Sequence, residues 1–379
     1  MWGGSNQLRE RRESVAMRRC LQFSLLALFL LPLLGLGCNS ASEGKIAFVS
    51  NFESANIIVY VMDADGGNQI KLAECGFPIL QWSPDGKRIA FCGPENEICI
   101  ADADGENLSK LRLPTTEEDV IWGLIGLSWS PDGAEIAVAG WAFPQPPGEP
   151  PSADIYAINV ESGEARKLTD SPDTSKYEVA WSPDGRQIAF VAINRDSPDY
   201  VHIYVIDTDG SNQRLLVSVP EANWLQKISW SPDGKKLMYV SKVVAGEMES
   251  YYGEIYVVDV EDGTITNLTN TPDIDDCDPA WSPDGKRIAF SSGWAKQIYT
   301  MDVDGSNVVK LTDEDLKCYE PSWSPDCKTI VFSGGKVQRP GGGEQGWDSI
   351  FILDVDSREV VDLIAAGRGD YFRPMWSPR

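Results

Sequence analysis

The decapeptide WSPDGKRIAF occupies residues 82–91 and recurs without change at residues 281–290. Variants of its first half recur along the chain at spacings of 42 to 53 residues. Their tryptophans are Trp82, Trp129, Trp181, Trp230, Trp281, Trp323 and Trp376. A period of roughly 40 to 50 residues with strand-like segments is typical of β-propellers, because each blade buries both faces against its neighbours. The repeat therefore predicts an all-β propeller.

Each repeat contains four segments of strand length in the same order. The first ends in Trp-Ser-Pro, the second is of the type RIAF, the third of the type IYVID, and the fourth ends near Leu-Thr. Pro-Asp-Gly after the tryptophan indicates a tight turn, because proline presets φ and glycine accepts a positive φ. Asp-x-Asp-Gly turns, as at residues 63–66 and 102–105, indicate a second hairpin. Each repeat is thus expected to form a four-stranded antiparallel blade.

The two ends of the chain carry complementary parts of one repeat. Second-strand segments begin at seven positions, which are Lys45, Arg88, Glu135, Gln187, Lys236, Arg287 and Thr329. No WSP segment precedes Lys45, and no second strand follows Trp376. We therefore expect the carboxy-terminal strand to pair with the amino-terminal blade strands, which removes exposed sheet edges. The prediction is one seven-bladed propeller over residues 45–379.

These segments resemble the TolB-like and WD40-like propeller repeats, in which P-x-WSPDG-x-x-IAF is followed by IYxxDxDG and Leu-Thr. The resemblance covers residues 45–379. The same repeat occurs in periplasmic Tol components, in propeller domains of serine peptidases and in some polysaccharide lyases. The resemblance implies the fold but does not choose among these functions.

The amino-terminal residues have the features of an export signal. An apolar run at residues 20–37 follows two arginines and is too short for a membrane helix of about 20 residues. We interpret residues 1–37 as a signal peptide, with Met17 as an alternative start. We therefore expect the mature chain at the periplasmic or extracellular face of a membrane.

The end of the apolar run, Leu-Gly-Leu-Gly-Cys, resembles the lipobox of bacterial lipoproteins. This resemblance implies a lipid anchor on Cys38, with residues 38–44 as a short tether. Cleavage near residues 40–42 without lipidation is the alternative.

The chain is strongly acidic, with a net charge of −24. Residues 1–37 carry +3, which leaves −27 on the rest. Such a surface repels phosphate backbones, so nucleic-acid binding is not expected. A protein, peptide or glycan partner in the cell envelope fits better, and we expect a monomer.

The cysteines and the single histidine limit the chemistry. Cys92 and Cys99 flank a short connection and form a candidate disulfide, with free buried thiols as the alternative. No CxxC pair or His/Cys cluster indicates a metal site, and no cofactor is expected. One histidine, His202, and no GxSxG motif leave a Ser-His-Asp hydrolase unsupported. The sequence therefore predicts a binding protein rather than an enzyme.

The alternative function is a propeller-type enzyme, a polysaccharide lyase, a glycosidase or a peptidase-associated domain, that uses acidic channel residues as acid and base.

The longest connections lie on one face of the predicted propeller, which we call the upper face, opposite the WSPDG turns. Binding residues concentrate on such loops when a rigid scaffold positions them. Six aromatic residues lie in or beside these loops and form a candidate contact surface or loop packing, and they are Trp141, Phe143, Tyr251, Tyr252, Trp294 and Trp347.

Strand alternation directs the residue three before each tryptophan into the central channel. In five blades this residue is charged, and the predicted ring consists of Glu178, Lys227, Asp278, Glu320 and Arg373. We expect the ring to recognise a cationic or mixed-charge ligand, with a solvated channel wall as the alternative.

Overall fold

The computed structural model describes residues 44–378 except 52–55, 112–119, 144–152, 171–173, 195–199, 221–224, 246–249, 337–347 and 365–369. Residues 42–379 belong to one compact unit. The predicted signal peptide, residues 1–37, and the predicted lipidation site, Cys38, lie outside the described residues. In the described part of the chain there is no helix long and apolar enough to cross a membrane.

The described residues form 28 β-strands. In chain order they are β1 (Lys45–Ser50), β2 (Ile57–Asp63), β3 (Ile70–Cys75), β4 (Leu80–Trp82), β5 (Arg88–Cys92), β6 (Ile98–Asp102), β7 (Ser109–Leu111), β8 (Val120–Trp129), β9 (Glu135–Phe143), β10 (Ala153–Asn159), β11 (Ala165–Lys167), β12 (Thr174–Trp181), β13 (Gln187–Asn194), β14 (Tyr200–Asp207), β15 (Arg214–Pro220), β16 (Leu225–Trp230), β17 (Lys236–Ala245), β18 (Ser250–Asp259), β19 (Ile265–Asn267), β20 (Cys277–Trp281), β21 (Arg287–Ser292), β22 (Gln297–Asp302), β23 (Val309–Lys310), β24 (Leu316–Trp323), β25 (Thr329–Lys336), β26 (Ser349–Asp354), β27 (Val360–Asp362) and β28 (Tyr371–Trp376).

The strands form seven four-stranded antiparallel sheets, which we call blades 1 to 7. Blade 1 has the order β28-β1-β2-β3, and blades 2 to 7 each take four consecutive strands, from β4–β7 to β24–β27. The predicted seven-bladed propeller is confirmed.

The WSPDG turn is held by the side chains of its serine and aspartate. In blade 2 the Ser83 hydroxyl donates to Asp85 Oδ1 at 2.6 Å and accepts the Arg88 amide at 2.9 Å. The same pair of bonds recurs at the serines of the other five complete turns, Ser130, Ser182, Ser231, Ser282 and Ser324. The Ala103 amide, in the turn between the third and fourth strands, donates to Lys87 O at 2.8 Å. Both turns therefore lie on the same, lower face.

The ends of the chain meet in blade 1. Ile46 pairs with Trp376 and Ala47 with Met375 in antiparallel register. The Lys45 amide donates to Ser377 Oγ at 3.0 Å, and the Ser377 amide donates to Lys45 O at 2.8 Å. These two bonds reproduce the serine contacts of the WSPDG turns across a break in the chain, and the predicted closure is confirmed.

The apolar core is divided among the interfaces between blades. Seven clusters of buried side chains each join two neighbouring blades. Between blades 7 and 1, for example, Ile46 and Phe48 pack with Val331 and Ile350. Burial at about 25 cal/mol per Å² makes these faces the main source of stability, so each blade depends on both neighbours.

The repeated tryptophan connects each blade to the one before it. In five blades its indole N–H donates to a carbonyl oxygen on the inner strand of the preceding blade, and the pairs are Trp82 with Met375, Trp129 with Gln81, Trp230 with Ala180, Trp281 with Ser229 and Trp323 with Ala280. Their lengths are 3.0 to 3.4 Å. The indole nitrogens of Trp181 and Trp376 are buried without a hydrogen-bond partner in the described structure.

This difference allows a matched test of the contact between blades. Trp230→Phe removes ring volume and the bond to Ala180 O, whereas Trp181→Phe removes the same volume but no hydrogen bond. We expect Trp230→Phe to lower the free energy of unfolding by about 0.5 to 1.5 kcal/mol more than Trp181→Phe, because only Trp230→Phe also removes a hydrogen bond between blades. Chemical denaturation of both variants measures the difference. Equal losses would show that the indole bond does not contribute.

Candidate functional site

Five inner strands contain one extra residue at the same place. In β12, Tyr177 pairs with Val191 and Val179 with Phe190, so Glu178 is left between them as a β-bulge. Equivalent shifts occur in β16, β20, β24 and β28. The bulged residues all have a positive φ, and they are Glu178 (51°), Lys227 (58°), Asp278 (51°), Glu320 (53°) and Arg373 (52°). We call these five residues the axial ring.

The backbone of the axial ring is strained. The left-handed region costs an L-residue other than glycine roughly 1–2 kcal/mol. Bulges often redirect a side chain beside a functional site, and strained residues that persist in a structure point to function. The structure thus gives the predicted channel residues a distinctive conformation that strand alternation alone does not produce.

Four of the five ring residues line one pocket at the propeller axis. The pocket has a volume of about 230 Å³. Its charged lining consists of Lys227, Asp278, Glu320 and Arg373. Apolar and small residues complete it, and they are Leu80, Pro279, Ala280, Pro321, Ser322, Pro374 and Met375. The sequence interpretation did not include the three prolines in the site, although each directly follows a ring residue.

Blades 2 and 3 depart from the pattern. The equivalent positions hold Ile79 and Gly126, and neither has a positive φ. A Cβ on Gly126 would lie 3.2 Å from the Cα of Glu178, so glycine allows the inner strands of blades 3 and 4 to approach closely. The charged part of the ring therefore covers only five of the seven blades.

Arg373 and Glu320 are fixed by several contacts. The Arg373 backbone amide donates to Glu320 Oε2 at 2.7 Å, and the Nε atom of the Arg373 side chain lies 3.4 Å from Glu320 Oε1. The Arg373 guanidinium also donates to Pro78 O at 2.5 Å. These contacts join blades 7, 1 and 2, so this ion pair also supports the closure of the ring.

Lys227 and Asp278 form a looser pair. Lys227 Nζ lies 3.6 Å from Asp278 Oδ1. This distance is too long for a good hydrogen bond. The side chains remain 37% and 18% exposed, respectively.

Glu178 lies beside this pair. Burial raises the pKa of the Glu178 carboxyl above its ordinary value, while the charges of Lys227 and Arg373 and hydrogen bonds from the Lys227 and Ile228 amides oppose the shift. The carboxyl of blade 4 therefore contacts the bulge of blade 5, as Glu320 of blade 7 contacts the bulge of blade 1.

The raised pKa makes stability depend on pH. Above the ordinary value of 4.5, the unfolded chain loses the Glu178 proton before the folded chain does, so Glu178 costs stability as pH rises toward its folded pKa. Glutamine cannot ionise. We expect Glu178→Gln to become more stable relative to the wild type between pH 4 and pH 8, by about 1.4 kcal/mol for each unit of pKa elevation.

Denaturant titrations at the two pH values measure this difference. The matched control is Glu359→Gln, which changes an exposed glutamate near a lower turn. Its effect on the free energy of unfolding should be the same at both pH values. A Glu178→Gln effect that is the same at pH 4 and pH 8 would show that the carboxyl is not perturbed.

The predicted aromatic residues occupy different settings. Trp294 is 82% exposed at the tip of the β21–β22 hairpin, and its ring lies 6.4 Å from that of Tyr252 at 74°. Trp141 and Phe143 lie in β9 and Tyr251 in β18, where only their backbones are described. Trp347 lies outside the described residues. Among the predicted aromatic residues whose side chains the structure describes, Tyr252 and Trp294 lie together.

A charged cluster that the sequence interpretation missed lies beside Trp294. Lys296 Nζ donates to Asp275 Oδ2 at 2.5 Å and to Cys277 Sγ at 3.2 Å. The Gly253 amide donates to Asp275 Oδ1 at 2.7 Å, so Asp275 connects blade 5 to this cluster. The aspartate run at residues 275–276 was the only sequence signal for it.

The candidate disulfide between Cys92 and Cys99 is not formed. Both thiols are free and buried. Cys92 pairs with Ile98, and Cys99 pairs with Phe91. The two residues are therefore offset by one, so Cys92 packs toward blade 3 and Cys99 toward blade 1. Burial raises the pKa of Cys92 to about 11 and that of Cys99 to about 12.

The family follows from a comparison of the whole repeat. The TolB beta propeller domain family matches residues 36–249 and 241–379. The chain belongs to this family. Among solved structures, this TolB-family propeller is similar to TolB from Acinetobacter baumannii, with a TM-score of 0.50, 18% identity and coverage of 89% of this chain and 83% of that one.

Two further relatives of the TolB-family chain are named as enzymes. The uncharacterized peptidase YuxL of Bacillus subtilis is 36% identical over 167 residues, which are 43% of this chain and 21% of YuxL. The chain thus spans about a fifth of that relative. An oligogalacturonate lyase in complex with manganese has a TM-score of 0.65 at 18% identity and covers 84% of this chain and 87% of its own. At this identity the likeness shows the fold alone.

The match to YuxL corrects one prediction. From a single histidine and the absence of a GxSxG motif we predicted that the chain is not an enzyme, and a relative named as a peptidase contradicts that prediction. The number of histidines bears only on chemistry that requires histidine. The axial ring contains carboxylate side chains, to which that count does not apply. Among the described residues, no group of three or more His, Cys, Asp or Glu side chains is placed to hold a metal ion.

Proposed function

We propose that this TolB-family propeller binds a protein or peptide partner in the cell envelope through the axial ring. The observation that supports this most directly is the convergence of four charged residues from blades 5, 6, 7 and 1 on one pocket. All four side chains originate at bulges, and bulges are often found where a side chain is redirected toward a site.

The chemistry of the pocket favours a polypeptide over a glycan. Its lining combines two cations and two carboxylates with prolines, Leu80 and Met375. Charged groups complement charged peptide side chains, and the apolar wall complements their alkyl parts. A glycan partner would use hydroxyl contacts and aromatic stacking, for which Trp294 and Tyr252 at the upper rim are the described candidates.

We further propose that the propeller is exported and held at a membrane by a lipid on Cys38. The apolar run at residues 20–37 and the following cysteine support this proposal. An anchor at the amino-terminal end would tether a propeller whose first described strand starts at Lys45.

Crosslinking in the native cell tests the binding face. A photo-crosslinking residue placed at Trp294 reports on the upper face, and one placed at Arg358, in an exposed turn of the lower face, is the control. We expect a crosslinked partner from position 294 and none from position 358. Adding Asp278→Asn should reduce the yield several-fold, because it removes one charge of the ring.

Two results would contradict this proposal. Equal crosslinking from both faces would mean that the upper face is not selective. A yield that Asp278→Asn leaves unchanged would place the partner away from the axial ring.

A second candidate function is catalysis by carboxylates of the axial ring. Glu178 has a raised pKa while Asp278 lies in a more exposed setting, and pairs of carboxyls in unlike environments supply acid and base in known enzymes. Turnover of an oligosaccharide and peptide panel measures it. If the chain is such an enzyme, Glu178→Gln and Asp278→Asn should each lower turnover by at least about a hundredfold, the usual contribution of a general acid or base. Turnover that both variants retain, or none on any substrate, would reject it.

A further inference from the structure

We infer that Lys227 and Asp278 are the recognition pair of the axial ring, and that they bind a dipolar peptide segment in which a cationic and an anionic side chain are neighbours. This inference rests on the proposed function, since it concerns the same pocket. It follows from a difference among the ring residues in the hydrogen bonds and ion pairs that each side chain already makes within the protein.

Arg373 and Glu320 are already occupied. Glu320 accepts the Arg373 amide and faces its guanidinium, and that guanidinium donates to Pro78 O. A ligand could use these groups fully only by breaking bonds that connect blades 7, 1 and 2. Charge-assisted bonds are roughly twice as strong as neutral ones, so this exchange is unfavourable. The Arg373–Glu320 pair is therefore a structural clamp.

Glu178 is also committed. Its carboxyl accepts the amides of Lys227 and Ile228 and does not line the pocket with the other four ring residues. It therefore acts as a positioning residue, which holds the bulge from which the Lys227 side chain extends.

Lys227 and Asp278 retain most of their hydrogen-bonding capacity. Their single mutual contact measures 3.6 Å, and within the described part of the chain neither side chain makes a hydrogen bond. An ammonium group has three donors, and a carboxylate has about four acceptor sites. A ligand can therefore bind both groups without displacing a bond inside the protein.

The spacing of the two charges selects a dipolar ligand. A lone cation that approaches Asp278 meets Lys227 within a few ångströms, and a lone anion at Lys227 meets Asp278. Like-charge contacts at such distances are unfavourable, whereas two opposite charges in the complementary order are attracted to both groups.

The size and the wall of the pocket limit the ligand further. A volume of about 230 Å³ accommodates a short segment rather than a folded surface. Pro279 and Pro321, which directly follow the two acidic residues that line the pocket, offer apolar contacts for the alkyl parts of long charged side chains. A pair of neighbouring Lys and Glu side chains on a peptide matches this combination.

Calorimetric titration of the full chain with capped dipeptides tests the inference. The dipolar probes are acetyl-Lys-Glu-amide and acetyl-Glu-Lys-amide, and the singly charged probes are acetyl-Lys-Gln-amide and acetyl-Gln-Glu-amide. We expect the better dipolar probe to bind about tenfold more tightly than either singly charged probe, because its second charged side chain adds one charged hydrogen bond.

Two variants of the pair make the test specific. In Lys227→Gln the advantage of the dipolar probe over acetyl-Lys-Gln-amide should disappear, because the anionic side chain has lost its partner. In Lys227→Gln/Asp278→Asn all discrimination by charge should be lost. Arg358→Gln is the matched control, because it neutralises an exposed residue with a positive φ on the lower face and should change nothing.

Three outcomes would overturn the inference. They are equal binding of dipolar and singly charged probes by the wild type, discrimination that survives in Lys227→Gln/Asp278→Asn, and tighter binding of free glutamine, a small zwitterion, than of the capped dipeptides. If the dipeptides fail but the crosslink from position 294 persists, partner binding stands and the dipolar assignment is wrong. Loss of both results would reject the proposed function as well.

Discussion

The tryptophan at the end of each inner strand contacts the preceding blade, and the ring depends on this contact between neighbours. A four-stranded sheet with two apolar faces cannot bury either of them alone. The seven apolar clusters each require side chains from two blades, and the indole bonds fix how those blades are placed. Because every blade needs both neighbours, the first and last blades must also meet.

That requirement explains the division of one blade between the chain ends. The break falls where the other six blades have a WSPDG turn, and Ser377 makes the contacts to Lys45 that Ser83 makes to Arg88. The turn geometry is therefore set by the serine and by strand pairing, and it forms without a covalent connection. Cys327 supports the same view, because it occupies the glycine position of its turn with a φ of 60° and the usual bonds remain.

The sequence was sufficient to predict the blades but not the conformation of the site. Blade number, strand order and closure all follow from a repeat that places turn residues and apolar segments at fixed intervals. The positive φ of Glu178 and Lys227 could not be read in the same way, because neither residue type favours that region. It results from sheet pairing on both sides of the bulge. The offset of Cys92 and Cys99 was likewise a matter of register, which a hairpin connection alone does not determine.

The two unlike blades show that the charged bulges are not a requirement of the fold. Ile79 and Gly126 occupy the ring position in blades 2 and 3 without a positive φ, and these blades still form complete sheets and apolar interfaces. A glycine at the bulges of the other five blades would relieve the backbone strain but would supply no side chain. Long charged residues such as Lys227 and Arg373 are instead held in an unfavourable conformation by the surrounding sheets. For Arg373, the contacts that join blades 7, 1 and 2 give a structural reason for this choice. For Lys227, the proposed binding role gives a reason, because rigid strands would fix its side chain before a ligand arrives.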